Sequence, residues 1–302
     1  VARAATLAKF DVVSSMVYEF AEVQGVMARE YAKKAGEKEA VANALYEQYL
    51  PVFAGDALPS GIIGAVLGLA ERADTIAAIF KIGLEPTSSQ DPYGLRRAAR
   101  CINEIILGLK LDINVKELMA EAAKPLGLSD ETLAKINDFL YQRLQVQFKE
   151  KGLSHEAVVL ALQTIAERPL QAYAMAETLQ KFAGEEWFAE LITAAVRVKN
   201  ILAKAEGENI PAEINSGKLV ADAEKAFAKA LDELTVPAEQ AIKACDWEKL
   251  AATLAQLAPV IAKFFEDVLV MDKDSEIRAN RLALLAKSQS FFMLIGDFSL
   301  LK

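Results

Sequence analysis

Three arginines, Arg96, Arg97 and Arg100, follow the polar loop PTSSQDP and open an amphipathic run. Arg96 and Arg100 are spaced i,i+4 and share one helix face. Asp91 stands where an N-cap belongs, and Pro92 where a missing N–H costs nothing, so the pattern predicts a helix from Pro92 to Leu109. A polar loop that delivers a basic helix start is suited to phosphate oxygens, contacts that position a polyanion without reading its sequence. The competing reading is local, because Arg100 is also i,i+4 from Glu104. Two further basic clusters have helical spacing. Arg197, Lys199 and Lys204 lie in VRVKNILAK, with Arg197 and Lys204 seven residues apart and aligned; a solvated face is the equal alternative. Arg278, Arg281 and Lys287 follow a DKDSE run that can hold one of the arginines structurally. These residues are the candidate nucleic-acid contacts.

The residue types needed for catalysis are missing. There is no GxxxxGK[ST] and no GxGxxG, the usual loops for nucleotide phosphates. The one histidine, His155, falls in the first turn of a predicted helix after Ser154 and reads as a surface residue. No Ser-His-Asp triad is advertised, and a multi-histidine metal site is impossible. Glu19, Glu22, Glu47 and Asp74 carry oxygens suited to a hard cation, but solvated or paired carboxylates explain them as well. No catalytic residue and no metal ligand is assigned. Cys101 and Cys245 make no disulfide framework and fit a reducing compartment.

The elements that must position the basic clusters read as helices throughout. The chain has 302 residues, 53% apolar, rich in Ala and Leu, with Gly and Pro mostly between periodic segments. That predicts an all-α protein of two domains. No apolar run approaches the roughly 18 residues that cross a bilayer. The net charge of −8 argues against binding nucleic acid by bulk charge. Residues 1–110 hold 12 basic and 13 acidic groups, and residues 111–302 hold 22 and 29. Polyanion contact therefore needs local patches. Val1 already lies in a helical pattern without a cap, which suggests a piece of a longer protein. Helices are expected over 2–20, 26–34, 37–50, 61–82, 92–109, 115–124, 129–148, 154–166, from 169, 186–205, 219–234, 238–244, 247–271 and 275–294. The domain boundary is placed at 126/127, giving 1–126 and 127–302, with connector helices over about 127–170.

Several long, ordered segments resemble the bacterial glycyl-tRNA synthetase beta subunit. RAATLAKFDVV, VQGVMAREYA, YEQYLPVFAGDALPS and ERADTIAAIFKIGLEPTSSQDPYGLRRAA are similar to its middle region. VRVKNILAK and VMDKDSEIRANRLALLAKSQSFFMLIGDFSLL are similar to its C-terminal region. The family segment usually reads PTGSKDP, so Ser88 and Gln90 stand where it has Gly and Lys. The resemblance covers roughly the C-terminal half of that subunit. It implies an HD-like helical domain followed by a helical-bundle anticodon-binding domain of the arginyl-tRNA synthetase type. It further implies a cytoplasmic, tRNA(Gly)-holding partner of an alpha subunit in an α2β2 heterotetramer, with glycine, ATP and Mg used on the alpha subunit and no cofactor here. An HD-type metal phosphohydrolase is the alternative, and the single histidine argues against it; a helical interaction scaffold is the other.

Overall fold

The computed structural model describes residues 1–87 and 90–301. Ser88 lies outside the described residues. Among the described residues every regular element is a helix, as the composition predicts. None of these helices is long and apolar enough to cross a membrane. The chain forms two compact units, 1–150 with 167–170, and 151–166 with 171–302.

The first unit contains α1 (Ala2–Thr6), α2 (Ser15–Glu19), α3 (Val26–Lys34), α4 (Glu39–Glu47), α5 (Ile62–Lys81), α6 (Leu95–Gly108), α7 (Val115–Ala123) and α8 (Asp130–Glu150). Its main core gathers Ile76 and Phe80 of α5, Ile102 and Ile106 of α6, Met119 of α7, and Ile136 and Leu140 of α8. A second cluster joins Ala28 and Ala32 of α3 to Leu45 of α4 and Leu67 of α5. The helix expected over residues 2–20 is broken. Lys9 takes a left-handed φ of 59°, and a 3-10 turn follows over Phe10–Val13. Asp11 in that turn is fully buried. It accepts hydrogen bonds from the Gly25 N–H at 2.7 Å and the Tyr49 hydroxyl at 2.9 Å. A buried carboxylate needs such donors, and these partners outweigh local helix propensity. Glu47 is also buried. It accepts from the backbone N–H groups of Ser60 and Gly61, both at 3.2 Å, at the entry to α5.

The compact division falls after Glu150, beyond the boundary expected at 126/127. The reason is that α8 completes the first core. Gln147 of α8 and Asn103 of α6 also exchange a buried side-chain hydrogen bond of 2.6 Å.

The second unit contains α9 (His155–Ile165), most of α10 (Pro169–Phe182), α11 (Glu186–Lys204), α12 (Asp222–Lys243), α13 (Trp247–Ala255), α14 (Leu257–Asp267) and α15 (Ser275–Phe292). Ser154 caps α9 as expected, and His155 is exposed. Phe227 of α12 meets Phe264 of α14 with ring centroids 5.3 Å apart. The expected break at Pro237 does not occur, and α12 runs through it. Leu231, Leu234, Ala238 and Ala241 remain buried on one face across the proline. Their burial offsets a proline penalty of about 3 kcal/mol. The single helix expected over residues 247–271 divides at Gln256 into α13 and α14.

Candidate nucleic-acid interface

The loop before α6 is built by Asp91. The helix starts at Leu95, three residues later than the proline pattern predicts, because Gly94 takes a left-handed φ of 65°. Asp91 still serves the helix start. Its two carboxylate oxygens accept from the N–H groups of Leu95 at 2.8 Å and Arg96 at 2.9 Å. These two orphan donors are therefore taken by the protein itself.

The three arginines that follow differ in availability. Arg96 turns back and donates to the Thr87 carbonyl. Arg100 pairs with Glu104 at 2.8 Å and Glu150 at 2.9 Å. The hydrogen bond to Glu104 is the largest cause that raises its pKa above the ordinary arginine value. Arg97 is exposed and forms no ion pair among the described residues. With Tyr93, Tyr49, Lys9 and Cys101 it lines a cavity of about 620 Å³. The Lys9 charge in that cavity is balanced by Glu71.

In the second unit, α11 carries its cluster on different faces. Lys199 pairs with Asp297 at 2.5 Å and donates to the Ser299 hydroxyl at 2.8 Å. It thus anchors the terminal 3-10 turn Phe298–Leu301. Arg197 is exposed, and its guanidinium carbon lies 4.2 Å from the centroid of the Phe265 ring on α14. Lys204 is exposed in the last turn and has no ion pair among the described residues.

The third cluster is largely structural. Arg281 is only 8% exposed. It pairs with Glu224 of α12 and with Asp272 at 2.7 Å, and donates to the Leu269 carbonyl at 2.9 Å. Its guanidinium is therefore buried within the fold and held by the protein's own acceptors, unlike the exposed Arg97 and Arg197. Arg278 donates to the Asp272 carbonyl at 2.7 Å and lies 3.2 Å from Glu208. Lys287 pairs with Asp232 at 2.7 Å. Of the nine candidate residues, Arg96, Arg97, Arg197 and Lys204 have no ion pair among the described residues, and Arg96 is taken by the Thr87 carbonyl, which leaves Arg97, Arg197 and Lys204 exposed and unpaired. Phe265 is the associated residue that sequence reasoning missed; its only signal is helical spacing after Ile261.

The Lys199–Asp297 anchor has a pH signature. Burial pushes the Asp297 carboxyl up, but hydrogen bonds from Lys199 and Ser299 outweigh it and hold the carboxyl below its ordinary range. A depressed folded value contributes stability above the unfolded pKa of about 3.9, lost as pH falls through the folded value. Hydrogen exchange at Ser299–Leu301, corrected for intrinsic rates, should therefore accelerate in acid. Asp297→Asn should remove that pH dependence; an unchanged acid profile in the variant would assign it elsewhere.

As for metal chemistry, no three His, Cys, Asp or Glu residues among the described residues are grouped to hold an ion. Glu47, one of the four carboxylates singled out as oxygen ligands, is occupied at the start of α5.

Comparison with known proteins defines the class first. Residues 191–295 match the DALR anticodon binding domain, which places an anticodon-binding module of the aminoacyl-tRNA synthetases over α11 to α15. Residues 1–163 match the family model described as glycyl-tRNA synthetase beta subunit. The chain belongs to the glycyl-tRNA synthetase beta subunit family. It is 39% identical over 303 aligned residues to the glycine–tRNA ligase beta subunit of Aeromonas hydrophila, covering 99% of this chain. It is 40% identical to that of Shewanella amazonensis over 100% of this chain, and 38% identical to that of Chromohalobacter salexigens over 99%. The chain spans 44% of the length of each of these relatives.

Proposed function

We propose that this chain is the tRNA-holding portion of a glycine–tRNA ligase. It grips tRNA(Gly) while ATP-dependent glycylation takes place on a separate alpha subunit of an α2β2 heterotetramer in the cytoplasm. Glycine, ATP and Mg are used on that subunit, and this chain holds no cofactor. The second unit meets the anticodon arm; the first, HD-like in fold, meets the body or acceptor side of the tRNA. The observation that carries this reading is the match of residues 191–295 to an anticodon-binding domain. The exposed, unpaired Arg97, Arg197 and Lys204 support it with local positive charge on an acidic chain.

The test is a titration of the chain with tRNA(Gly) and with an unrelated tRNA at several salt concentrations. Preference for tRNA(Gly) is expected, and equal binding of both would overturn the reading. Arg97→Ala should reduce the slope of log K against log salt by about 0.7–0.9, the contribution of one phosphate. Arg100→Ala should leave the slope closer to that of the parent, because its charge is already shared between Glu104 and Glu150. The reverse order would reassign the phosphate contact to Arg100.

A further inference from the structure

We propose that the groove between α11 and α14 is a slot for one unpaired nucleobase, stacked on the Arg197–Phe265 platform and selected as cytosine by the carboxylate of Glu190. The proposal rests on the reading of the second unit as anticodon-binding and names the place and chemistry of recognition.

The sequence builds the slot from two facing stripes. On α11, Glu186, Glu190, Thr193 and Arg197 recur at intervals of four, three and four, the spacing of one helix face. On α14, Ala258, Ile261 and Phe265 recur at three and four. The two helices pack, and these residues line a groove with a cavity of about 630 Å³. Arg197 stands over Phe265 at 4.2 Å, well inside cation–π range. The contact holds a planar group that is otherwise a long flexible side chain. Arg197 forms no ion pair among the described residues, although Glu186, Glu190 and Glu266 line the same groove.

Charge decides what enters. The lining holds those three carboxylates against Arg197 and Lys263. Lys263 is already occupied by Asp267 at 3.1 Å and Glu266 at 3.8 Å. A phosphate would meet net negative charge here, whereas a neutral base would not. Bases of single-stranded loops stack on guanidinium planes and aromatic rings, and their Watson–Crick edges are then free to be read. Carboxylates accept from the cytosine N4 amino group, where uracil presents a carbonyl oxygen. Glycine codons all begin with two guanines, so every glycine anticodon carries cytosine at its second and third positions. Glu190 lies seven residues before Arg197, on the same stripe and two turns along it, and it forms no ion pair among the described residues. The structure thus offers a stacking platform with an acceptor along one face, at a place where phosphate is disfavoured.

The experiment uses the 302-residue chain and a short RNA hairpin whose loop carries the glycine anticodon 5′-GCC-3′. The same hairpin with either cytosine replaced by uracil is the comparison, and fluorescence anisotropy reads affinity. The chain should favour cytosine at one of the two positions by about five- to a hundredfold. Arg197→Lys keeps the charge and loses the plane, so it should weaken binding about as much as Arg197→Ala, with the salt slope unchanged. Phe265→Leu should weaken binding in the same way. Glu190→Gln should shrink the cytosine-to-uracil ratio, because an amide can donate to the uracil carbonyl. If Arg197→Lys binds like the parent while Arg197→Ala flattens the salt slope, Arg197 is a phosphate contact and the slot is overturned. A cytosine-to-uracil ratio untouched by Glu190→Gln also overturns it. Arg197 and Glu190 are exposed, so these outcomes survive even if Phe265→Leu loosens the fold. If the parent chain binds no hairpin at all, the anticodon-binding reading itself fails, a result distinct from both.

Discussion

Arg281→Ala is expected to destabilise the second unit by about 3–5 kcal/mol, the usual cost of leaving a buried charge without its partner. The side chain of Glu224, which Arg281 holds, is only 1% exposed. Glu224 also accepts from the Ala221 N–H at 2.9 Å, so it orders the start of α12. The second partner, Asp272, is held below the ordinary carboxylate range first by the Asp274 N–H and then by the Arg281 hydrogen bond. Removing the guanidinium therefore loosens α12, α15 and the 268–274 connection at once. Whole-domain stabilities are about 5–15 kcal/mol, so the loss is a large share of what holds this unit together. Trp187 and Trp247, the chain's two tryptophans, both lie in this unit. Urea unfolding followed by tryptophan fluorescence therefore reports on it. The midpoint should fall by about 1–5 M for an m-value of roughly 1–3 kcal/mol/M. Arg281→Ala protein with an unchanged midpoint and a lost preference between anticodon variants would return this residue to the RNA interface.

Arg281 also marks where sequence reading stops. The DKDSE run correctly raises the prospect of a structural arginine, and Asp272 takes both Arg278 and Arg281 as partners. Glu224, the buried partner, lies 57 residues away, and no local pattern connects the two. Arg100 illustrates the same limit. Its i,i+4 pairing with Glu104 is legible from spacing, while Glu150, at the far end of α8, becomes visible only once α8 packs on α6. The all-α class was legible because the apolar positions of α6, from Leu95 through Ile102 to Ile106, keep one helical face over the whole element. Element ends were less so. Pro237 reads as a stop by local rules, yet burial of the residues on either side of it carries α12 onward. The left-handed Gly94 delays α6, where Asp91 and Pro92 together point to an earlier start. The free cations Arg97, Arg197 and Lys204 differ from their neighbours only in which way their faces turn. That is decided by tertiary packing rather than by composition.

Arg72→Lys should loosen the first unit despite keeping the charge. Arg72 is 7% exposed, and its guanidinium acts as a clasp on main-chain carbonyls. One terminal nitrogen donates to Gln48 at 3.0 Å and Gly68 at 2.9 Å. The other donates to Tyr49 at 3.0 Å, Leu50 at 3.2 Å and Pro51 at 3.1 Å. Four of these carbonyls, at residues 48–51, follow the end of α4, where the helix leaves its last acceptors unpaired, and the fifth, Gly68, belongs to α5 one turn before Arg72. A planar fork of donors can span them; a single ammonium with three donors cannot. Each buried acceptor left unsatisfied costs about 1–3 kcal/mol, so even partial loss is several kcal/mol. Gly68 is part of the arrangement: a Cβ there would lie 2.8 Å from an Arg72 terminal nitrogen and 3.0 Å from the Gln48 carbonyl. Gly68→Ala should therefore reproduce some of the effect without touching the arginine. The buried Cys101 thiol donates to the Pro51 carbonyl at 3.2 Å and supplies a local probe. In a Cys245→Ser background, modification of Cys101 by a thiol reagent should be slow in the parent and much faster in Arg72→Lys, with Gly68→Ala between them. If Arg72→Lys left both the modification rate and the thermal midpoint unchanged, the charge alone would be enough at this position, and the five-carbonyl clasp would not be what holds residues 48–51 in place.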